Sequence, residues 1–177
     1  RVDGWLDGGR LYLRVVDYKT GRKSFDLAEL RYGLGLQMLL YLFTLEERGS
    51  ALFGGKEIVP AGVLYTPARE PLLRCARDTS PEKIEKALKK ELRRSGMVLE
   101  DPAVLKAMEH SALESPCYLP IAVKKDGEVT GSLASAEQLG KLSRYVDHLL
   151  RQIMDEVFSG NIDADPCARA PQQSACT

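Results

Sequence analysis

Residues 11–21 read LYLRVVDYKTG, an apolar run that ends with Asp17 and Lys19 two positions apart. Side chains two apart in an extended strand leave the same face. A carboxylate and an ammonium would then project together, with Tyr18 opposite. Such a pair is either a satisfied ion pair or the metal ligand and the catalytic lysine of a site that cleaves phosphodiesters. A second spacing lies downstream, where QMLLY sets Gln37 and Tyr41 four residues apart, on one face of a helix. Gln37 falls in a stretch that is apolar on nearly every side, where a buried amide is costly unless it is hydrogen-bonded. The expectation is a polar group beside it, or else a neighbouring backbone, with Tyr41 filling core.

The elements that must position these residues follow from period and turn chemistry. RVDGWLDGGRLYLRVVDYKTG predicts a hairpin turning at Asp7-Gly8-Gly9. Residues 23–50 predict one buried helix, with Ser24 or Asp26 as its cap, Gly49 as its stop, and Gly33 and Gly35 as costs to its propensity. A strand over Ile58 to Thr66 comes next, then a charged helix with Ser80 as cap and Pro81 at its first position. A short helix capped by Asp101, a hairpin around Asp126-Gly127 and a long amphipathic helix from Ser135 to Gly160 complete the regular part. The tail, 161–177, reads as irregular. Alternating strands and helices predict an α/β layer fold with a mixed sheet.

With 177 residues the chain suits one domain with a substantial core. Lysine plus arginine equals aspartate plus glutamate at 25 each, so no global basic field points to nucleic acid, although a charged groove can sit on a neutral domain. There is no long apolar run to span a bilayer. The chain opens on a charged residue inside a predicted strand, which argues against a signal peptide and for a cytoplasmic location. Cys75, Cys117, Cys167 and Cys176 show no paired spacing and read as reduced thiols. Both ends read as cut from something longer.

VVDYKTG followed by LQMLLY resembles the RecB-like branch of the PD-(D/E)XK nuclease superfamily, whose members pair a D-Y-K strand end with a Q-x-x-x-Y helix. Further stretches, among them RVDGW, PAGVLYTPARE, GMVLEDPAVLKAMEH and FSGNIDADP, are similar to AddB-type nuclease domains of bacterial ATP-dependent helicase/deoxyribonucleases. The resemblance implies a restriction-endonuclease-like core, a mixed sheet flanked by helices, over residues 1–160. It implies a Mg²⁺-dependent DNA exonuclease acting on one strand of a processed duplex end, in recombinational break repair, with an AddA-like helicase-nuclease chain as partner. Asp17 and the backbone carbonyl of Tyr18 would ligate Mg²⁺, Lys19 would serve as base or as electrostatic stabiliser, and Gln37 and Tyr41 would complete the catalytic set. The family's first metal-binding Asp would precede Arg1, leaving Asp3 as a support, a substitute ligand or a structural residue. Cys176 matches the first cysteine of the C-x-x-C-x5-C segment that helps hold a [4Fe-4S] cluster in such domains, its partners lying outside this sequence. The rival readings are a catalytically silent scaffold on the same fold that binds DNA or a partner protein, and a nuclease with no helicase.

Overall fold

The computed structural model describes residues 1–21 and 23–163, together with the backbone of 168–170 and 173–174. The predicted hairpin forms from β1 (Val2–Asp7) and β2 (Arg10–Lys19), antiparallel from Val2↔Val15 to Asp7↔Arg10. Gly8 and Gly9 both hold positive φ, 54° and 86°, the combination a two-residue hairpin loop requires. Trp5 and Tyr12 face each other across the pair with ring centroids 5.3 Å apart, a contact that favours this register.

β3 (Glu57–Pro67) runs parallel to β2, and β4 (Ser95–Leu99) antiparallel to β3. β7 (Leu133–Ala134) closes a five-stranded mixed sheet of order β1-β2-β3-β4-β7. Pro60 sits inside β3, where a missing amide donor is usually disallowed. It is tolerated because β4 pairs only with residues 62–65, and because the ladder to β2 is irregular at the neighbouring step. No alternation marks residues 95–99 as a strand, yet they form β4: Gly96 to Leu99 are all buried, so the stretch is continuously covered. The hairpin around Asp126-Gly127 is β5 (Ile121–Val123) with β6 (Val129–Gly131).

One predicted helix is replaced by two. α1 (Leu27–Leu30) is capped by Asp26, whose side chain accepts from the Ala28 amide, and α2 (Gln37–Arg48) starts afresh after a turn. Gly33 and Gly35 cause the break, both at φ 72°, a conformation outside the right-handed helix. A 3-10 turn over Gly49–Phe53 extends α2 past the expected stop. α3 (Pro81–Glu91) and α4 (Pro102–Met108) start where Pro and Asp101 predict, and α5 (Ala136–Phe158) carries a full capping box at Ser135 and Gln138. The tail, read as irregular, contains two short paired strands, β8 (Ala168–Ala170) and β9 (Gln173–Ser174), too brief to show a period.

Two apolar clusters sandwich the sheet. On one face Val15, Val63, Met97 and Leu99 meet Leu30 of α1, Met38, Leu39 and Leu42 of α2, and Leu139 and Val146 of α5. On the other, Leu64 and Val98 pack on Leu105 of α4, Leu119 and Ile121. This is a mixed α/β sheet flanked by helices, the expected fold class, and it carries the C-terminal ends of β2 and β3 out together at one edge of the α2 layer.

Candidate active site at the end of β2

Asp17 and Lys19 emerge from the face of β2 that also carries buried Val15, so the helices of the first cluster fix their direction. Their side chains meet, with Lys19 Nζ 2.6 Å from Asp17 Oδ2, and each keeps about a third of its surface exposed, 37% for the lysine and 32% for the aspartate. Tyr65, level with Asp17 on β3, lies under the ammonium, its ring centroid 5.7 Å from Nζ. The hydrogen bond to Asp17 holds the Lys19 pKa above its ordinary value, against a smaller opposing effect of burial. Burial raises the Tyr65 phenol, the Lys19 charge opposes that rise, and the charges of Asp17 and Glu29 add to it. Glu29, from α1, therefore belongs to the neighbourhood. The sequence reading missed it, and an acidic residue in the first turn of a short helix gives no distinguishing signal.

Tyr18 projects to the opposite face and is exposed. Its carbonyl follows from the ladder. Val16 exchanges two bonds of 2.7 Å with the backbone of Arg1, so its amide groups face β1, while the Lys19 carbonyl accepts from Ala68 at 2.8 Å on the β3 side. Alternation turns the Tyr18 carbonyl toward the β1 side, beyond the Arg1–Val16 pair. It lies next to the Asp17–Lys19 pair in the chain.

Gln37 and Tyr41 share a face of α2, as the spacing predicts, and Gln37 Nε2 donates to Tyr41 Oη at 3.1 Å. The expectation of a buried amide is corrected: Gln37 is exposed and Tyr41 keeps 52% of its surface. The helix is apolar on one side only, with Met38, Leu39, Leu42 and Phe43 buried. Among the described residues no hydrogen bond joins this pair to Asp17 or Lys19.

Asp3 stands elsewhere. It pairs in register with Arg14, whose side chain leaves the face opposite Val15 and Asp17. Its carboxylate is held by Arg14 Nε at 3.0 Å and Arg1 Nε at 2.7 Å. Burial pushes its pKa up, but the hydrogen bonds from Arg1 and Arg14 outweigh that and hold it below the ordinary carboxylate value. A carboxylate engaged by two guanidiniums across the sheet is not placed to share an ion with Asp17, so the substitute-ligand reading of Asp3 is not supported by its position. Among the described residues no group of three or more His, Cys, Asp or Glu side chains could hold a metal. Cys75 and Cys117 are free thiols, whereas Cys167 and Cys176, with the iron-sulfur expectation, lie outside the described residues. Among the described residues no helix is long and apolar enough to cross a membrane.

The likeness to known proteins is extensive. A family model described as the PD-(D/E)XK nuclease superfamily matches residues 1–177. The B-type chain of the ATP-dependent helicase/deoxyribonuclease of Ruminiclostridium cellulolyticum is 36% identical over 168 residues, covering 94% of this chain and 14% of that protein. The proteins of the same name from Acetivibrio thermocellus and Clostridioides difficile are 37% and 36% identical, each over 94% of this chain and 15% of their own length. This chain thus spans about a seventh of the length of these relatives. On a match that runs from its first residue to its last, the chain belongs to the PD-(D/E)XK nuclease superfamily.

Proposed function

We propose that this domain hydrolyses DNA phosphodiester bonds at the end of β2, with the aid of a divalent cation, as the nuclease part of a helicase-nuclease that degrades single strands from a duplex end. The convergence of Asp17 and Lys19 at 2.6 Å, at the end of β2, carries the reading. The names of the relatives, which describe one chain of an ATP-dependent helicase/deoxyribonuclease, supply the assembly and the DNA substrate. They also suggest a second helicase-nuclease chain as partner.

The donor set suits Mg²⁺ in kind, since carboxylate and carbonyl are the hard oxygens that ion takes. It is incomplete in number among the described residues. The family resemblance implies a further Asp before Arg1, and the β1–β2 register gives the position such a residue would take. With Asp3 opposite Arg14, Val2 opposite Val15 and Arg1 bonded to Val16, one more step upstream falls opposite Asp17, on its face of the sheet. A bound Mg²⁺ would supply Lewis acidity and a water of lowered pKa.

The residues of the chain do the rest. Asp17 would hold the ion, and Lys19, bonded to its carboxylate, fixes that group without a further residue. The Lys19 ammonium, seated on Tyr65, offers its remaining donors to the phosphoryl oxygens as charge builds there. Gln37, solvent-facing and steadied by Tyr41, presents an amide to the strand backbone or to a water.

The test is degradation of labelled single-stranded DNA by the full-length protein with Mg²⁺ and with a chelator. Cutting that requires the metal and disappears in Asp17→Ala and Lys19→Ala supports the proposal. Binding of DNA without any cutting would favour the scaffold reading. Wild-type rates in both variants would overturn the site.

A further inference from the structure

The chain carries no net charge, yet its cations are not evenly spread. A cleft of about 390 Å³ opens beside Lys19 between the ends of β2 and β3 and the end of α3. Among the described residues Lys19, Lys23, Arg69, Lys90 and Arg93 line it, against a single carboxylate, Glu91. Glu91 is bonded to Arg69 at 2.8 Å. The Arg93 guanidinium donates to two carbonyls, those of Leu119, at 3.0 Å, and Ile121, so its charge is anchored without being neutralised. Lys23 and Lys90 are exposed, and among the described residues neither has a carboxylate partner.

We infer that this cleft is a track for the phosphodiester backbone of a nucleic-acid strand, along which the strand is led to Lys19. Like charges gathered in a concave wall repel one another, and they persist in a neutral protein where a polyanion offsets the cost. The cleft reads backbone and not bases. Tyr65 is its one aromatic lining residue among the described residues, and at 6% exposure beneath Lys19 it offers no face on which a base could stack. Binding should therefore be indifferent to sequence and strongly dependent on salt. That the track leads to a cutting site rests on the function proposed above. That it binds a strand does not.

The experiment measures binding of a fluorescent oligothymidylate to the full-length protein across a salt series, with a chelator present to prevent cutting. Wild type is compared with Lys23→Gln/Lys90→Gln, with Lys90→Glu and with Asp17→Ala. Because every variant retains the rest of the protein, the difference in slope isolates the contacts of the cleft. The double glutamine variant should bind about tenfold more weakly near 0.1 M salt, and its log K against log salt should be shallower by about 1.4, from roughly 0.7 per phosphate contact on a single strand. Lys90→Glu should lose at least as much as either lysine contributes, and Asp17→Ala, which frees the Lys19 ammonium for a phosphate, should not make the slope shallower. Both lysines are exposed, so thermal unfolding should be unchanged. Unaltered slopes in both lysine variants would overturn the track, as would a mononucleotide that competes as well as the oligomer. Lost binding in the lysine variants together with normal cutting in Asp17→Ala would leave the track standing and remove the catalytic assignment.

Discussion

The two faces of β2 present the same chemical ingredients in different settings. Toward α4 and Tyr18, Asp3 is locked by Arg14 and Arg1 within 3.0 Å, and the Arg14 side chain is only 14% exposed. Toward α2, Asp17 meets one lysine, both stay about one-third exposed, and the pair opens onto a cleft lined also by Lys23, Lys90 and Arg93, with no carboxylate partner for these three among the described residues. A guanidinium fork holds a carboxylate through several fixed donors, whereas an ammonium is a compact point charge on a flexible stem. The first arrangement binds strands together. The second leaves the carboxylate able to exchange its partner for a metal ion and the ammonium able to follow a phosphate. Adjacent carboxylates on one hairpin are therefore distinguished by partner and exposure, not by residue type.

The sharpest break in that contrast is Asp17→Ala. If the open pair is catalytic, nuclease activity should fall by about 10³-fold or more, the scale on which a metal ligand contributes, while unfolding in urea moves little, since an exposed pair contributes about 0–1 kcal/mol. The opposite pattern is expected for Asp3→Ala. Removing that carboxylate leaves Arg14, already carrying one buried nitrogen without a partner, with no counter-charge. A loss of about 2 kcal/mol, discounted for the remaining exposure, should appear in the urea midpoint, with cutting per folded molecule retained. A variant pair in which Asp3→Ala abolished cutting and Asp17→Ala abolished folding would invert the contrast and refute it.

Acid provides a finer separation. The folded Asp3 pKa lies below its ordinary 3.8, so unfolding is accompanied by proton uptake in that range. The stabilisation by Asp3 is complete above the unfolded value and is lost as pH falls through the lower folded one. As pH falls through 3.8 and below, wild type should lose more stability than Asp3→Asn, by an amount kept small by solvent screening. Urea titrations at several pH values check this, and parallel curves for the two proteins would mean that the Arg14 clasp adds nothing.

Much of the fold and part of the site are legible in the residue order. Period two and Gly8-Gly9 imply the hairpin, and with it the shared face of Asp17 and Lys19. Asp101 and Ser135 mark helix starts because an N-cap side chain acts within a few residues of its own position. What escapes is decided by contacts distant in sequence. β4 shows no alternation because both its faces are covered. The faces of Asp3 and Asp17 separate only once the register across the turn is counted. The cations of the cleft come from three segments, 19–23, 69 and 90–93, that no local pattern connects. Gln37 departs from expectation for a different reason: an apolar run implies burial all round, but Gly33 and Gly35 restart the helix at Gln37 and leave that side in solvent.

Gln37 and Tyr41 form a third polar pair, bonded to each other on α2, and the smallest expected effect asks which side of the contrast they belong to. An exposed neutral bond contributes little to stability, so Tyr41→Phe should shift unfolding by no more than about 0.5 kcal/mol. If the pair only decorates the helix, cutting should be unchanged as well. If Tyr41 acts by steadying Gln37, Tyr41→Phe should lower kcat about threefold, and Gln37→Ala should lower it more. The double variant should then be no worse than Gln37→Ala, because removing the amide removes what the phenol steadies. Additive losses would mean that Tyr41 reaches the substrate independently. Single-turnover cutting by the four proteins distinguishes these outcomes, since it reports the chemical step apart from product release.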